Sequence, residues 1–288
     1  MSVEVMPLTI ENVDDEIVCC LGKKNFENPT PWFAKGIEYK RNWLKRQIDK
    51  YGEAGKIAYK GDEPVGFFEY VPGNTAPLVF PERDRCVYIC CYDVVTRERC
   101  KGVGSALVQS TLKVFTKPHS WFNNRPAKAL KLIAFEKSDW KPIEPFYRMR
   151  FKIQTRWLYP GSEYVHVPAL LTHDIEAKQR KAQTIRLQLP TQKHLPLSVK
   201  VFRSVVCPWA PDFSGAKQVA DKFGDQVSFE VIDLWEKPSL TEIYGPTPGT
   251  IVNDQWVWSS PEEYEEKLES AIREQLKKLQ ASEGFDEG

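Results

Sequence analysis

The chain has 288 residues, nearly twice a typical single domain, so two domains are expected. Its 40 Lys and Arg balance 39 Asp and Glu to a formal net charge of +1, which removes the electrostatic case for a nucleic-acid binder. At 42% hydrophobic and 12% aromatic residues, the chain has enough for real cores, and disorder as the main theme is excluded.

Taken in chain order, Val3 to Leu8 reads as a short strand, and Asn12 to Asp15 offer capping residues before the apolar Ile17-Val18-Cys19-Cys20. Residues 37–50 space Ile37, Trp43, Leu44 and Ile48 as an amphipathic helix does. Lys56–Tyr59 and Val65–Tyr70 flank Gly61-Asp62-Glu63-Pro64 and predict a hairpin. Cys86–Val95 is almost continuously apolar, as a buried central strand should be. A helix follows from Ser105 to Phe115, then a strand over Ala129–Phe135. From 159 to 195, Gly161-Ser162, a basic run and a Gln/Pro-rich stretch read as a connector with some structure. A second alternating unit then begins: strand 197–202, helix 213–223, strand 227–232, short helix 240–244, strands 250–252 and 255–258, and an amphipathic helix over 261–279. The expected division is a first domain over 1–158, the connector, a second domain over 196–280 and a loose tail over 281–288.

The seven cysteines are Cys19, Cys20, Cys86, Cys90, Cys91, Cys100 and Cys207. An odd number without regular spacing does not describe a secreted disulfide framework. The N-terminus has no basic and apolar signal segment, and no apolar run approaches membrane-helix length. A reducing cytoplasm is the economical expectation, with no membrane partner. No CxxC pair is present and the four histidines are isolated, so no metal site is expected.

Arg99-x-x-Gly102-x-Gly104 lies between the buried strand and the following helix. Glycine allows a tight turn and a close approach of the backbone, and the first N–H groups of a helix have no partner within it, so they can bind phosphate oxygens. A Rossmann loop would need a third glycine where Leu107 stands, and the Gly-Lys-Ser/Thr of a P-loop is absent. A plain glycine-rich turn remains the bland alternative.

The element order and the string Val94-x4-Arg99-x-x-Gly102-x-Gly104-x-Ala106-Leu107 resemble the acetyl-CoA loop of the GNAT acetyltransferases. Phe146-Tyr147-x3-Phe151 resembles that superfamily's Y-x-x-x-G-F segment, with Arg150 in place of glycine, so the turn there is expected to differ. Cys19-Cys20, Tyr88 to Cys91, Lys101 to Gly104 and Val206-Cys207-Pro208 resemble, in order and spacing, a subset with a C-terminal YoaP-like, thioredoxin-like domain. The implied fold class is α/β (α+β), a GNAT fold followed by a smaller thioredoxin-like domain. The resemblance implies acetyl-CoA as co-substrate, held by Tyr92, Val94, Arg99, Cys100, Lys101, Gly102, Val103, Gly104 and Ser105. A backbone N–H near Tyr92 to Val94 would polarise the thioester, and Tyr147 would be the general acid, with a packing role as its alternative.

Regular alternation puts Tyr88, Cys90 and Tyr92 on one face of the strand and no carboxylate with them, so Tyr88 is expected to organise a water-mediated deprotonation. A bulge would change that count. In the second unit, Pro248 would be a cis-proline, and Cys207 would be a reactive thiol at a helix start. Ala210 occupies the resolving-cysteine position, which excludes a dithiol oxidoreductase within this motif. The leading reading is an acetyl-CoA-dependent N-acetyltransferase acting on a small-molecule amine or amino-acid-like acceptor. The alternatives are a thiol-binding or monothiol redox protein acting through Cys207, and a CoA-binding regulatory module.

Overall fold

The computed structural model describes residues 2–80, 82–136, 142–159, 167–176, 181–203, 207, 213–246, 249–257 and 263–283. The first unit runs β1 (Glu4–Pro7), α1 (Val13–Leu21), α2 (Lys23–Glu27), α3 (Pro31–Tyr51), β2 (Gly55–Lys60), β3 (Glu63–Pro72), β4 (Cys86–Val94), α4 (Val103–Phe115), β5 (Ala129–Glu136), α5 (Glu144–Arg148), β6 (Lys152–Leu158), β7 (Val167–Asp174) and β8 (Gln183–Arg186). Helix α3 begins earlier than the apolar spacing alone predicts. Thr30 caps it by accepting the Phe33 N–H, Pro31 occupies the first turn, and left-handed Gly52 ends it.

The eight strands form one sheet in the order β1-β2-β3-β4-β5-β7-β6-β8. β4 and β5 are parallel, and the other pairs are antiparallel except β6 with β8. One face packs Val103, Leu107 and Phe115 of α4 and Phe146 of α5 against Phe68, Ile89, Leu130 and Leu132. The other face carries Val13 and Cys19 of α1 and Trp43 and Leu44 of α3 over Ile57, Phe67 and Cys91. The mixed α/β architecture expected from the sequence is present, as one large sheet with helices on both faces.

The expected connector contributes strands to this sheet. β7 and β8 both lie within 159–195, and β7 is inserted between β5 and β6, bonded along its length to β5. Val167–Leu171 are buried, so the segment supplies core to the first unit and does not merely lead out of it.

The second unit comprises β9 (Leu197–Arg203), α6 (Phe213–Asp221), β10 (Val227–Asp233), α7 (Thr241–Tyr244), β11 (Thr250–Val252), β12 (Gln255–Val257) and α8 (Tyr264–Glu283). Its sheet runs β10-β9-β11-β12, with β9 and β10 parallel and β11 antiparallel to both its neighbours. α6 and α8 bury one face through Ala216, Val219, Leu268 and Ile272 over Leu197, Val199 and Val201. Alternation along β9 turns Phe202 to the opposite face, with Ile232, Leu234 and Ile251.

The two units meet through aromatic contacts on the α1/α3 side of the large sheet. Trp235 packs edge-on against Trp43 with ring centroids 5.1 Å apart, and Trp256 stacks on Tyr159 at 4.9 Å. The Arg203 guanidinium lies 4.6 Å from the Tyr39 ring centroid, and the Thr241 hydroxyl accepts the Val79 N–H at 3.0 Å.

Candidate active site

A cleft opens where two parallel strands part. β4 and β5 are paired only from Cys86 with Ala129 to Ile89 with Leu132. Beyond that point β5 continues on β7 to Glu136, while β4 stays on β3 to Val94. The parting coincides with a bulge, because Glu69 pairs with Cys91 and Tyr70 with Ile89, leaving Cys90 unmatched. An extra residue reverses the side-chain alternation.

That reversal corrects the expected face. Tyr88 lies on the α1/α3 side, whereas Tyr92 lies on the α4/α5 side. Tyr88 stacks on Phe80 at 5.7 Å, and Tyr92 packs against Phe146 at 5.0 Å. The Tyr92 hydroxyl donates to the Ile133 carbonyl at 3.0 Å, tying β4 to β5 beyond their last pair. Cys90 is half-buried at the bulge. The Val95 N–H bonds Val65 of β3, so alternation turns the Tyr92 and Val94 amides toward β5. The Asp93 carboxylate accepts the Val94 N–H at 2.7 Å, so that amide is turned to its own strand's side chain.

The glycine loop closes the end of β4. Arg99 donates to the Val94 carbonyl at 3.0 Å and to the Asp93 carboxylate at 3.3 Å, so it fastens the loop to the strand. Lys101 pairs with Glu98 at 3.5 Å. Cys100 and Gly102 both take positive φ, 63° and 87°, and Gly102 is the residue from which α4 starts. The first amide satisfied along the helix is that of Ala106, bonded to Gly102 at 2.9 Å; those of Val103, Gly104 and Ser105 precede it. A Cβ on Gly102 or Gly104 would have no neighbour within 4 Å, so the ground in front of these amides is open. Open space before oriented N–H groups fits the pyrophosphate of acetyl-CoA.

Tyr147 projects from α5 and is 45% exposed, while its neighbour Phe146 is buried on Tyr92. Partial burial, and then the charge of Glu136 at the end of β5, raise its phenol above the usual value, so it stays protonated at neutral pH. The turn after α5 does not differ in the way the missing glycine suggests. Arg150 itself takes the left-handed conformation, φ 65°, and the Phe151 N–H closes back on Phe146 at 3.0 Å.

Sequence reasoning missed a buried charge cluster on the α1/α3 side. Glu16 of α1, Lys40 of α3 and Glu69 of β3 are all fully buried. The Lys40 ammonium lies 2.8 Å from Glu16 Oε1 and 2.6 Å from Glu69 Oε1. No hydroxyl, amide or backbone N–H donates to any of the four carboxyl oxygens. Burial raises both carboxyl groups, and the charge of Glu16 raises Glu69 well above the carboxylate range. Burial alone would lower Lys40, but the two carboxyl groups override it and hold it charged. Acidic side chains therefore do lie on this side of the sheet, contributed by β3 and α1 and not by β4.

Cysteines surround the cluster. Cys91 stands beside Glu16, Lys40 and Glu69, and Cys20 hydrogen-bonds Cys91. Cys207 of the second unit is half-buried and close enough to Cys20 to act on its ionisation. Pro248 and Ala210 lie outside the described residues. Among the described residues no group of three His, Cys, Asp or Glu side chains could hold a metal ion, and no helix is long and apolar enough to cross a membrane.

Residues 22–130 match the model of the acetyltransferase (GNAT) family. No curated protein matches the chain. Similar solved structures include Ard1 from Thermoplasma volcanium, at 13% identity over 62% of this chain and 100% of that one, with a TM-score of 0.41. An N-acetyltransferase from Staphylococcus aureus Mu50 is 14% identical over 61% and 100%, TM-score 0.43. The ribosomal-protein-S18-alanine N-acetyltransferase from Escherichia coli is 14% identical over 62% and 97%, TM-score 0.39. By the family match, residues 22–130 carry a GNAT acetyltransferase domain, which uses acetyl-CoA as co-substrate.

Proposed function

We propose that this acetyltransferase acetylates the amine of a small, amino-acid-sized acceptor, bound on the α1/α3 side of the sheet beneath the second unit. One observation carries the choice of a small acceptor: the second unit spans that side. Its Trp235 sits on Trp43 of α3, and its Trp256 stacks on Tyr159 just past β6. An acceptor entering between α3 and the end of β6 meets a roof, which suits a small molecule better than the end of a protein chain.

When bound, acetyl-CoA supplies an activated acetyl thioester. Lys101 and the amides of Gly102, Val103, Gly104 and Ser105 would hold its pyrophosphate, with Arg99 and Cys100 shaping the loop. The Tyr92 amide would hydrogen-bond the thioester carbonyl, more strongly as charge develops on the oxygen. Tyr147, kept protonated at neutral pH, would give its proton to the departing thiolate. Tyr88, held by Phe80, would line the acceptor side.

We read the second unit as thioredoxin-like, a reading supported by its parallel βαβ half and antiparallel ββα half. The free thiols suit a reducing cytoplasm. A second reading, in which Cys207 binds or exchanges with a thiol compound, draws support from its place beside Cys20.

Incubating the protein with acetyl-CoA and either a pool of small amines or a pool of peptides, and following free CoA, tests the proposal. Release with the amines alone supports it; release with the peptides alone overturns the small-acceptor assignment. Loss of transfer in Cys207→Ser with unchanged CoA binding would favour the thiol reading.

A further inference from the structure

The Glu16–Lys40–Glu69 cluster is poorly explained as a device for stability. Three ionisable groups sealed from water contribute little net stability, because their mutual attraction is largely offset by lost hydration. The cluster also does more than join two elements. It takes one group each from α1, α3 and β3, and it stands beside Cys91, next to the bulge where β4 leaves β5. Two carboxyl groups facing one ammonium leave one proton to be shared between them at neutral charge. Their oxygens have no other hydrogen-bond donor to fix that proton.

We propose that the Glu16–Glu69 carboxyl pair, with Lys40, is the proton store of the acetyl transfer, reached from the cleft through the thiols of Cys91 and Cys20. The inference rests on the acetyltransferase reading above. In the working form the pair has released its shared proton, so its two carboxylates and the Lys40 ammonium together carry one net negative charge. As the acceptor nitrogen bonds the acetyl carbon, the nitrogen loses a proton to a cysteine sulfur, whose own S–H proton passes to the carboxyl pair. The carbon–sulfur bond of the thioester breaks, its electron pair leaves with the thiolate, and that sulfur takes the Tyr147 proton. Glu16 and Glu69 are positioning residues in this scheme, since the thiols stand between them and the acceptor.

The groups facing Glu69 are Glu16 and Cys20 from α1, Lys40 from α3, Cys90 and Cys91 from β4, and Cys207 from the second unit through Cys20. Of these only Lys40 is cationic. The pair should therefore hold its proton to higher pH than a lone carboxyl would, and transfer should rise as that proton leaves.

The decisive experiment compares the full-length protein with Glu69→Gln. Glutamine has the size of a protonated carboxyl, so the variant mimics the resting form and should fold. The acceptor is a hydroxylamine, already neutral across the range, so that its own ionisation does not enter the pH profile. We expect kcat of the wild type to rise with pH along a limb that Glu69→Gln lacks, with roughly a tenfold or greater loss in kcat at the plateau and little change in KM. Lys40→Met should move the limb further toward alkaline pH. An infrared carbonyl band of a protonated carboxyl should persist in the wild type at neutral pH and be lost in Glu69→Gln. An unchanged limb, or no such band, overturns the proton store. Calorimetry of CoA binding separates the two levels: no binding to the wild type sinks the acetyltransferase reading, whereas binding with an unchanged limb sinks only this inference.

Discussion

At the scale of single residues, position relative to the bulge decides what each side chain can do. Tyr92 is buried and its hydroxyl is committed to Ile133, whereas Tyr147 is exposed and raised. Tyr147→Phe should therefore lower kcat by about tenfold or more while leaving the CoA dissociation constant unchanged, measurable by single-turnover kinetics and calorimetry. Glu69 gives a second expectation, on stability. Its folded-state pKa is raised by burial and by Glu16. The native chain thus keeps this proton longer than the unfolded chain does. The stability it contributes is fully present below the ordinary carboxylate pKa and is lost as pH climbs through the raised one. The urea midpoint of the wild type should fall as pH rises above the ordinary carboxylate range, and Glu69→Gln should show a flatter dependence. Equal slopes would contradict the assignment. The sequence carried some of this. A glutamate inside the apolar Val65–Tyr70 and another ahead of Ile17-Val18-Cys19-Cys20 are out of pattern for buried faces. Lys40 gave no such signal, because it sits among the ordinary charges of an amphipathic helix.

At the scale of elements, the loop between β4 and α4 was legible because glycine there answers a backbone need that spacing records. Gly102 at φ 87° begins the helix. Gly102→Val would force a β-branched residue into left-handed geometry, at a cost of about 1–2 kcal/mol, and should weaken CoA binding as well as thermal stability. Denaturation and calorimetry on the same sample check both. Strand β4 was legible as a buried strand but not in its facing. A bulge is a mismatch of count between two strands, and Cys90 bears no mark of it in the sequence of β4 alone. Likewise β7 was lost in the expected connector. The Pro/Gln-rich composition around it dominated the reading, although Val167–Leu171 is apolar enough for a buried strand. The start of α3 was recoverable, since Thr30-Pro31 is a capping pair ahead of the periodic residues.

At the scale of the whole molecule, the two units share one hydrophobic seam, with Trp235 and Trp256 set against the core of the first unit. Trp235→Ala removes an aromatic partner of Trp43 and should destabilise the chain by about 3 kcal/mol. It should also raise the KM for a small acceptor more than that for acetyl-CoA, and admit bulkier amines. A panel of acceptors graded by size reads this, and an unchanged size preference would show that the roof does not select. The strand order has a consequence for synthesis of the chain. Because β7 lies between β5 and β6, the far wall of the cleft is built from residues made in the order 129–136, 152–158, 167–174 but seated in a different one. A nascent chain that has emerged only as far as residue 158 has β5 without its antiparallel neighbour and β6 with nowhere to dock. The ribosome must deliver the stretch past Asp174 before the catalytic half can close, so folding of the first unit waits on a segment that its composition advertises as a tether.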